Sequence, residues 1–205
     1  MAASQAERPA TPPAQAAAAA PWASLGRRQI LELTVPGVAI GLLTGVIAGG
    51  LSAFGGLAPH VAVFTGIALA VPLALGGAGY EILLARGTFP LSVLTPVALY
   101  WAVLFPVGRV IEAGLVDLYA GSALAVPHGW LDYVIYQAIV SVGFGIGYWW
   151  LHENFAPLWW FRIRERNPVA DDFVRVQLAY AEAAEAKMEQ KRREQETRRA
   201  KKRRR

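Results

Sequence analysis

The sequence predicts an all-α integral membrane protein: four transmembrane helices, a short amphipathic helix on the outer surface, and a basic cytoplasmic helix at the C-terminal end. Three observations carry that expectation. The chain has 205 residues, 55% hydrophobic and only 17% charged, a balance unlike that of a soluble domain. Its charge is segregated, because 23 of the 35 charged residues lie from Arg162 onward. Finally, Gly37-Val-Ala-Ile-Gly41-Leu-Leu-Thr-Gly45-Val-Ile-Ala-Gly49 sets glycine at every fourth position of an uncharged apolar stretch. In a soluble helix each such glycine costs about 1 kcal/mol relative to alanine. In hydrocarbon the backbone has no competing partner, so the segment stays helical and its bare face admits another helix closely.

Residues 1–26 are Ala/Pro-rich, with a run from Ala16 to Ala20, and hold too little apolar bulk to form a core, so disorder is expected. A cleaved signal is not expected, since Arg8 and Pro21 interrupt the place of its apolar centre. Residues 27–161 form the predicted membrane domain. Its spans are placed at about 35–54, 61–79, 91–108 and 133–151, each near the length that crosses a core of about 30 Å. Pro72 and Pro96 fall inside spans, where a lost backbone hydrogen bond can be replaced by a neighbouring helix. Between the third and fourth spans, Val107, Val110, Ile111, Leu115, Leu118 and Tyr119 fall on about half a helix, which predicts the outer amphipathic element closed by Gly121.

Four spans place Arg27-Arg28, Arg86 and the arginines after Phe161 on one side, so both termini are expected to be cytoplasmic, in the plasma (inner) membrane. Trp159, Trp160, Arg162, Arg164 and Arg166 are expected to anchor the chain at the lipid interface. Residues 162–205 then form a cytoplasmic unit. Asn167-Pro168 followed by Asp171-Asp172 marks a helix start, and Phe173, Val176, Tyr180, Ala184 and Met188 form one narrow apolar stripe. Seven of the eight residues from Arg198 to Arg205 are basic, a composition suited to anionic lipid. Nucleic acid is disfavoured because no aromatic residues interleave the cluster to stack bases.

The absence of cysteine removes disulfides, thiolate metal sites and cysteine nucleophiles. No GxSxG, HExxH or phosphate-binding GxxxxGK[ST] motif occurs, and Gly76-Gly77-Ala-Gly79 resembles a phosphate loop only in composition. No enzyme activity, cofactor or resident metal is therefore expected. The four span ranges contain no ionisable side chain apart from tyrosine, which argues against a proton-coupled transporter. Glu81 falls in the connection after the second span, and His152-Glu153 reads as polarity at headgroup level. Gln137 fits a hydrogen bond between helices. On the outer face His60, Glu112, Asp117, His128 and Asp132 have no characteristic metal spacing, and Arg109 is placed to pair with Glu112.

Gly37, Gly41, Gly45 and Gly49, with Gly143 and Gly147 as a smaller copy in the fourth span, are the candidate helix-packing residues. They can serve packing within the bundle, a homo-oligomer, or a lined path, in that order of expectation. The function expected is that of a non-enzymatic accessory or scaffold subunit, whose partners are membrane lipids and other membrane subunits or further copies of itself. The alternative is a small oligomeric channel or transporter subunit.

Overall fold

A computed structural model describes residue 22 and residues 25–121 and 129–203, with side chains through 199. The described residues form five helices and no strand: α1 (Arg27–Phe54), α2 (Pro59–Ala85), α3 (Leu94–Tyr119), α4 (Trp130–Ile163) and α5 (Pro168–Arg203). The first four are long and apolar enough to cross a membrane. Residues 1–21, 23 and 24, where most of the expected disorder falls, lie outside the described residues, as do the loop 122–128 with His128 and the last two arginines.

Each of the four helices extends beyond the span read from hydropathy. An apolar window ends at the first charge, but the i to i−4 hydrogen-bond ladder does not. α1 begins at Arg27, α2 continues through Glu81, and α4 continues through His152 and Glu153. The expected outer amphipathic helix is one such extension. Arg109 to Tyr119 continues α3 without a break past Pro106, whose missing N–H removes a single bond of the ladder. Its polarity is also turned around: Val107, Ile111, Leu115 and Leu118 are exposed, while Gly108 and Glu112 face the bundle.

The four helices run alternately up and down. The start of α1, the end of α2, the start of α3, the end of α4 and the start of α5 meet at one end, here called the terminal face. Buried contacts between rising and falling residue numbers establish the order. Gly37, Gly41, Gly45 and Gly49 of α1 lie against Gly77, Leu73-Ala74, Gly66-Ala70 and Ala62-Gly66 of α2 in turn. A methyl group at Gly37 would overlap the Gly77 carbonyl, and one at Gly41 would overlap the backbone of Leu73 and Ala74. The glycine cluster on α2 serves three neighbours at once. Gly77 meets Gly37, Gly76 receives the Trp101 ring of α3, and Gly79 lies under the Tyr100 hydroxyl, which donates a 2.6 Å hydrogen bond to the Gly76 carbonyl.

Gly143 and Gly147 of α4 face open space, with no heavy atom of another described element within 4 Å of an added Cβ. Gly145, between them, is the close contact, against Ala98 and Trp101 of α3. α4 therefore packs with the face that runs through Ser141, Gly145, Tyr148, His152, Ala156, Trp160 and Ile163, all buried.

The terminal face is closed by polar stitching. Gln29 donates to the Arg166 carbonyl at 2.7 Å, and Asn167, fully buried, donates to the Gln29 carbonyl at 2.9 Å. Arg166 pairs with Glu32 of α1 at 3.0 Å. α5 starts at Pro168 as expected, with Val169, Ala170 and Val174 buried and Phe173 against Trp160. From Leu178 through Arg199 every residue of α5 is exposed.

The packing predicts unequal responses to methyl groups. Gly37→Ala and Gly41→Ala should each destabilise the protein in mild detergent by about 1–3 kcal/mol, the usual range for overpacking. Gly143→Ala and Gly147→Ala should be neutral or slightly stabilising, because only helix propensity changes there. Thermal unfolding of the four variants checks the contrast, and equal effects at all four sites would contradict the assigned faces.

Candidate functional site

Glu81 and His152 meet inside the bundle near the terminal face. α2 presents Glu81 one turn beyond Gly77, on the side that its close approach to α1 turns inward. α4 presents His152 one turn beyond Tyr148. His152 Nε2 and Glu81 Oε1 are 2.9 Å apart, and each side chain is only 1% exposed. A proton on Nε2 donates to the carboxylate across this contact. The sequence-based placement of Glu81 in a connection is thereby corrected, as is the reading of His152 as ordinary surface polarity: both belong to helices longer than the apolar ranges and both are buried in the bundle. Helix bounds set by hydrogen bonding rather than by hydropathy bring both residues inside.

The walls around the imidazole are aromatic. Tyr80 and Trp160 meet it edge to face, at ring separations of 5.1 and 5.5 Å, and Tyr148 stacks on it at 5.9 Å. Trp101, fully buried, packs on Tyr148 and Phe144 beyond, toward the middle of the bundle. Several polar atoms here have no hydrogen-bond partner among the described residues: Glu81 Oε2, His152 Nδ1, the Tyr148 hydroxyl and Trp160 Nε1. Burying a polar group without a partner costs about 1–3 kcal/mol, and a charged one more. Such a cluster inside an apolar bundle is the usual mark of a functional site in a membrane protein.

The pair connects to the surface on the terminal side. Glu153 lies next to it on α4, with Oε1 3.8 Å from His152 Nδ1 and its side chain 19% exposed. Ser92, in the turn before α3, donates to Glu153 Oε2 at 2.6 Å. Ser92 has φ 61° and is the one non-glycine residue with positive φ among the described residues, a conformation that costs free energy unless its surroundings hold it. Ser92 and Glu153, with Leu91, Val93 and Gln177 and Tyr180 of α5, line a cleft of about 350 Å³.

At the other end, Arg109 pairs with Glu112 at 2.8 Å, as the spacing predicts. Glu112 and Gln137 are buried there. No group of three acidic, histidine or cysteine side chains with metal-holding geometry exists among the described residues. His60 instead sits beside the Tyr119 ring at 6.2 Å.

The expected lipid-interface residues divide. Trp160 is fully buried, between His152 and Phe173, and is not an interfacial anchor. Its place on the inward face of α4, two turns beyond His152, is the physical reason. Trp159 is partly buried and donates from Nε1 to the Glu32 carbonyl at 2.7 Å. Arg166 is engaged with Glu32, Arg164 covers the Phe161 ring at 4.1 Å, and Arg162 is exposed. The signal that could have located the site is the spacing of Gln137, Ser141, Tyr148 and His152, which places polar side chains on one face of a helix that is otherwise apolar.

What the fold and site define is a four-helix bundle, long and apolar enough for a membrane, enclosing a carboxylate–imidazole pair. Comparison with protein-family models, curated proteins and solved structures finds no match to this chain.

The pair predicts non-additive stability. His152→Phe alone should cost about 3–5 kcal/mol, because it strands a buried carboxylate, whereas Glu81→Met combined with His152→Phe should recover most of that loss. Unfolding of the single and double variants in the same detergent checks the coupling. Strict additivity would mean that the two side chains act independently.

Proposed function

We infer that this chain is a multi-pass membrane protein acting as a non-enzymatic accessory or scaffold subunit. The bundle holds α5 as an arm that engages another membrane subunit. The carrying observation is that α5 spans 36 residues, about 54 Å at 1.5 Å per residue, yet only its first turns are buried. Helices without a tertiary partner are marginal in water. This one is supported locally by Glu189–Arg193 at 2.6 Å and Arg192–Glu196 at 3.5 Å, each worth a few tenths of a kcal/mol. Such an arm is a poor use of chain for stability and suits recognition. Its basic end, from Arg198 onward, is suited to anionic headgroups at the same surface. The distribution of arginine favours a cytoplasmic placement of both termini, in the plasma membrane.

A second reading, a small channel or transporter subunit, is favoured by one observation, the buried Glu81–His152 pair. An ionisable pair retained in an apolar bundle fits movement of ions or protons better than it fits scaffolding. The outward Gly143 and Gly147 would then offer a close contact to another copy.

A chain truncated after Tyr180 separates the readings. It should unfold at the same temperature as the full chain, since residues 181–199, which it removes, are all exposed. In native membranes it should leave a heteromeric assembly that the full chain joins, as judged by complex size in mild detergent. A truncated chain that keeps an assembly of unchanged size removes the arm from the role given to it. An assembly made only of copies of this chain favours the second reading.

A further inference from the structure

We propose that Glu153, His152 and Glu81 form a one-sided proton relay, by which protons from the cleft at the terminal face are loaded onto Glu81 inside the bundle. The inference is independent of what α5 engages, and it gives the pair a ligand of definite chemistry, the proton.

The geometry supports each position. One imidazole stands between two carboxylates, with Nε2 2.9 Å from Glu81 Oε1 and Nδ1 3.8 Å from Glu153 Oε1. Nδ1 is buried and makes no hydrogen bond among the described residues, and the group nearest to hand a proton to it is Glu153. Glu153 lines the cleft and is the member of the three with solvent contact. Its 19% exposure leaves room for the side-chain rotation that closes the gap to Nδ1. Ser92, held at positive φ, fixes the other oxygen of Glu153 at the cleft wall.

The transfer balances as follows. A hydronium ion in the cleft gives a proton to the Glu153 carboxylate and is left as water. The Glu153 O–H bond then breaks as an N–H bond forms at His152 Nδ1, giving an imidazolium. The Nε2–H bond breaks as an O–H bond forms on Glu81 Oε1. The imidazole is left neutral with its proton on Nδ1, and reversal of the same steps returns the proton. A metal ion is the poorer ligand here, because the three side chains do not form a metal-holding group.

The relay is one-sided because of what surrounds Glu81. The other titratable groups near the pair are phenols: Tyr80 on α2, Tyr100 on α3, Tyr148 on α4 and, at the cleft, Tyr180 on α5. Tyr80 and Tyr148 touch the imidazole edge and face, and Tyr100 is committed to the Gly76 carbonyl. Toward the middle of the bundle Trp101, Phe105 and Phe144 pack ring on ring. They separate Glu81 from Glu112 at the other end.

Trp160 provides the reporter, since its ring lies 5.5 Å from the imidazole and a protonated imidazole quenches indole fluorescence. The full chain in lipid nanodiscs is taken through a rapid drop in pH, and the Trp160 component is isolated by subtracting the Trp160→Phe trace. Quenching should rise in the parent as the imidazolium forms, fall again as Glu81 takes the proton, and be absent in His152→Gln. In Glu153→Gln the transient should develop at least tenfold more slowly. Glu153→Asp, which keeps the acid one methylene farther from Nδ1 and guards against a folding defect in the amide variant, should also be slower than the parent. Parent-like rates in both Glu153 variants would overturn the relay. So would a Trp160 component that does not respond to pH, because no proton would then be reaching the imidazole.

Discussion

The contact between the bare backbones of Gly37 and Gly77 fixes the arrangement of everything else in the bundle. No side chain intervenes, so the backbones of α1 and α2 come into direct contact, and the contact continues through Gly41, Gly45 and Gly49. Close approach sets the rotation of α2 about its own axis. With Gly77 held against α1, Gly76 turns toward α3 and admits the Trp101 ring, and one turn later Glu81 turns toward α4. The position of the buried carboxylate is therefore a consequence of where two glycines meet. Van der Waals contact of this kind is individually weak and collectively decisive, particularly where hydrocarbon supplies no hydrophobic drive between helices.

Trp101 and Trp160 complete the interior from opposite directions. Trp101 fills the space over Gly76 and separates the middle of the bundle from the pair, while Trp160 covers His152 from the terminal side and receives Phe173 of α5. The docking of the arm and the setting of the imidazole thus share one side chain. Cleft residues Gln177 and Tyr180 extend this link, since one wall of the route to Glu153 belongs to α5. Whatever displaces the first turns of α5 acts on the surroundings of the buried pair.

The surface divides along the same lines. α3 and α4 present apolar residues such as Leu99, Val103, Leu131, Ile139 and Val142 outward, and Gln137, Ser141 and His152 of α4 point inward. This reverses the pattern of a soluble bundle and suits a lipid surround. The far part of α5 has the opposite composition and is held by charge pairs along its own length. One chain therefore carries an apolar segment stabilised by packing between helices and a charged one stabilised by local interactions along a single helix.

The sequence by itself determined the helical class, the four apolar segments, the start of α5 at Asn167-Pro168 and the pairing of Arg109 with Glu112. Each depends on composition or on spacing within one helix, which a linear pattern records. The glycine stripe was visible for the same reason, but not what it touches. The tertiary structure decided that Gly145 rather than Gly143 and Gly147 makes the close contact of α4, that Arg109 to Tyr119 belongs to α3, and that Trp160 is covered. It also decided that Glu81 and His152, 71 positions apart, form a pair. Hydropathy treats a charge as the end of a span, because it scores each residue against water or lipid alone. Whether a charged side chain is instead taken into the interior depends on a partner from another helix, and that partner exists only once α2 and α4 are packed.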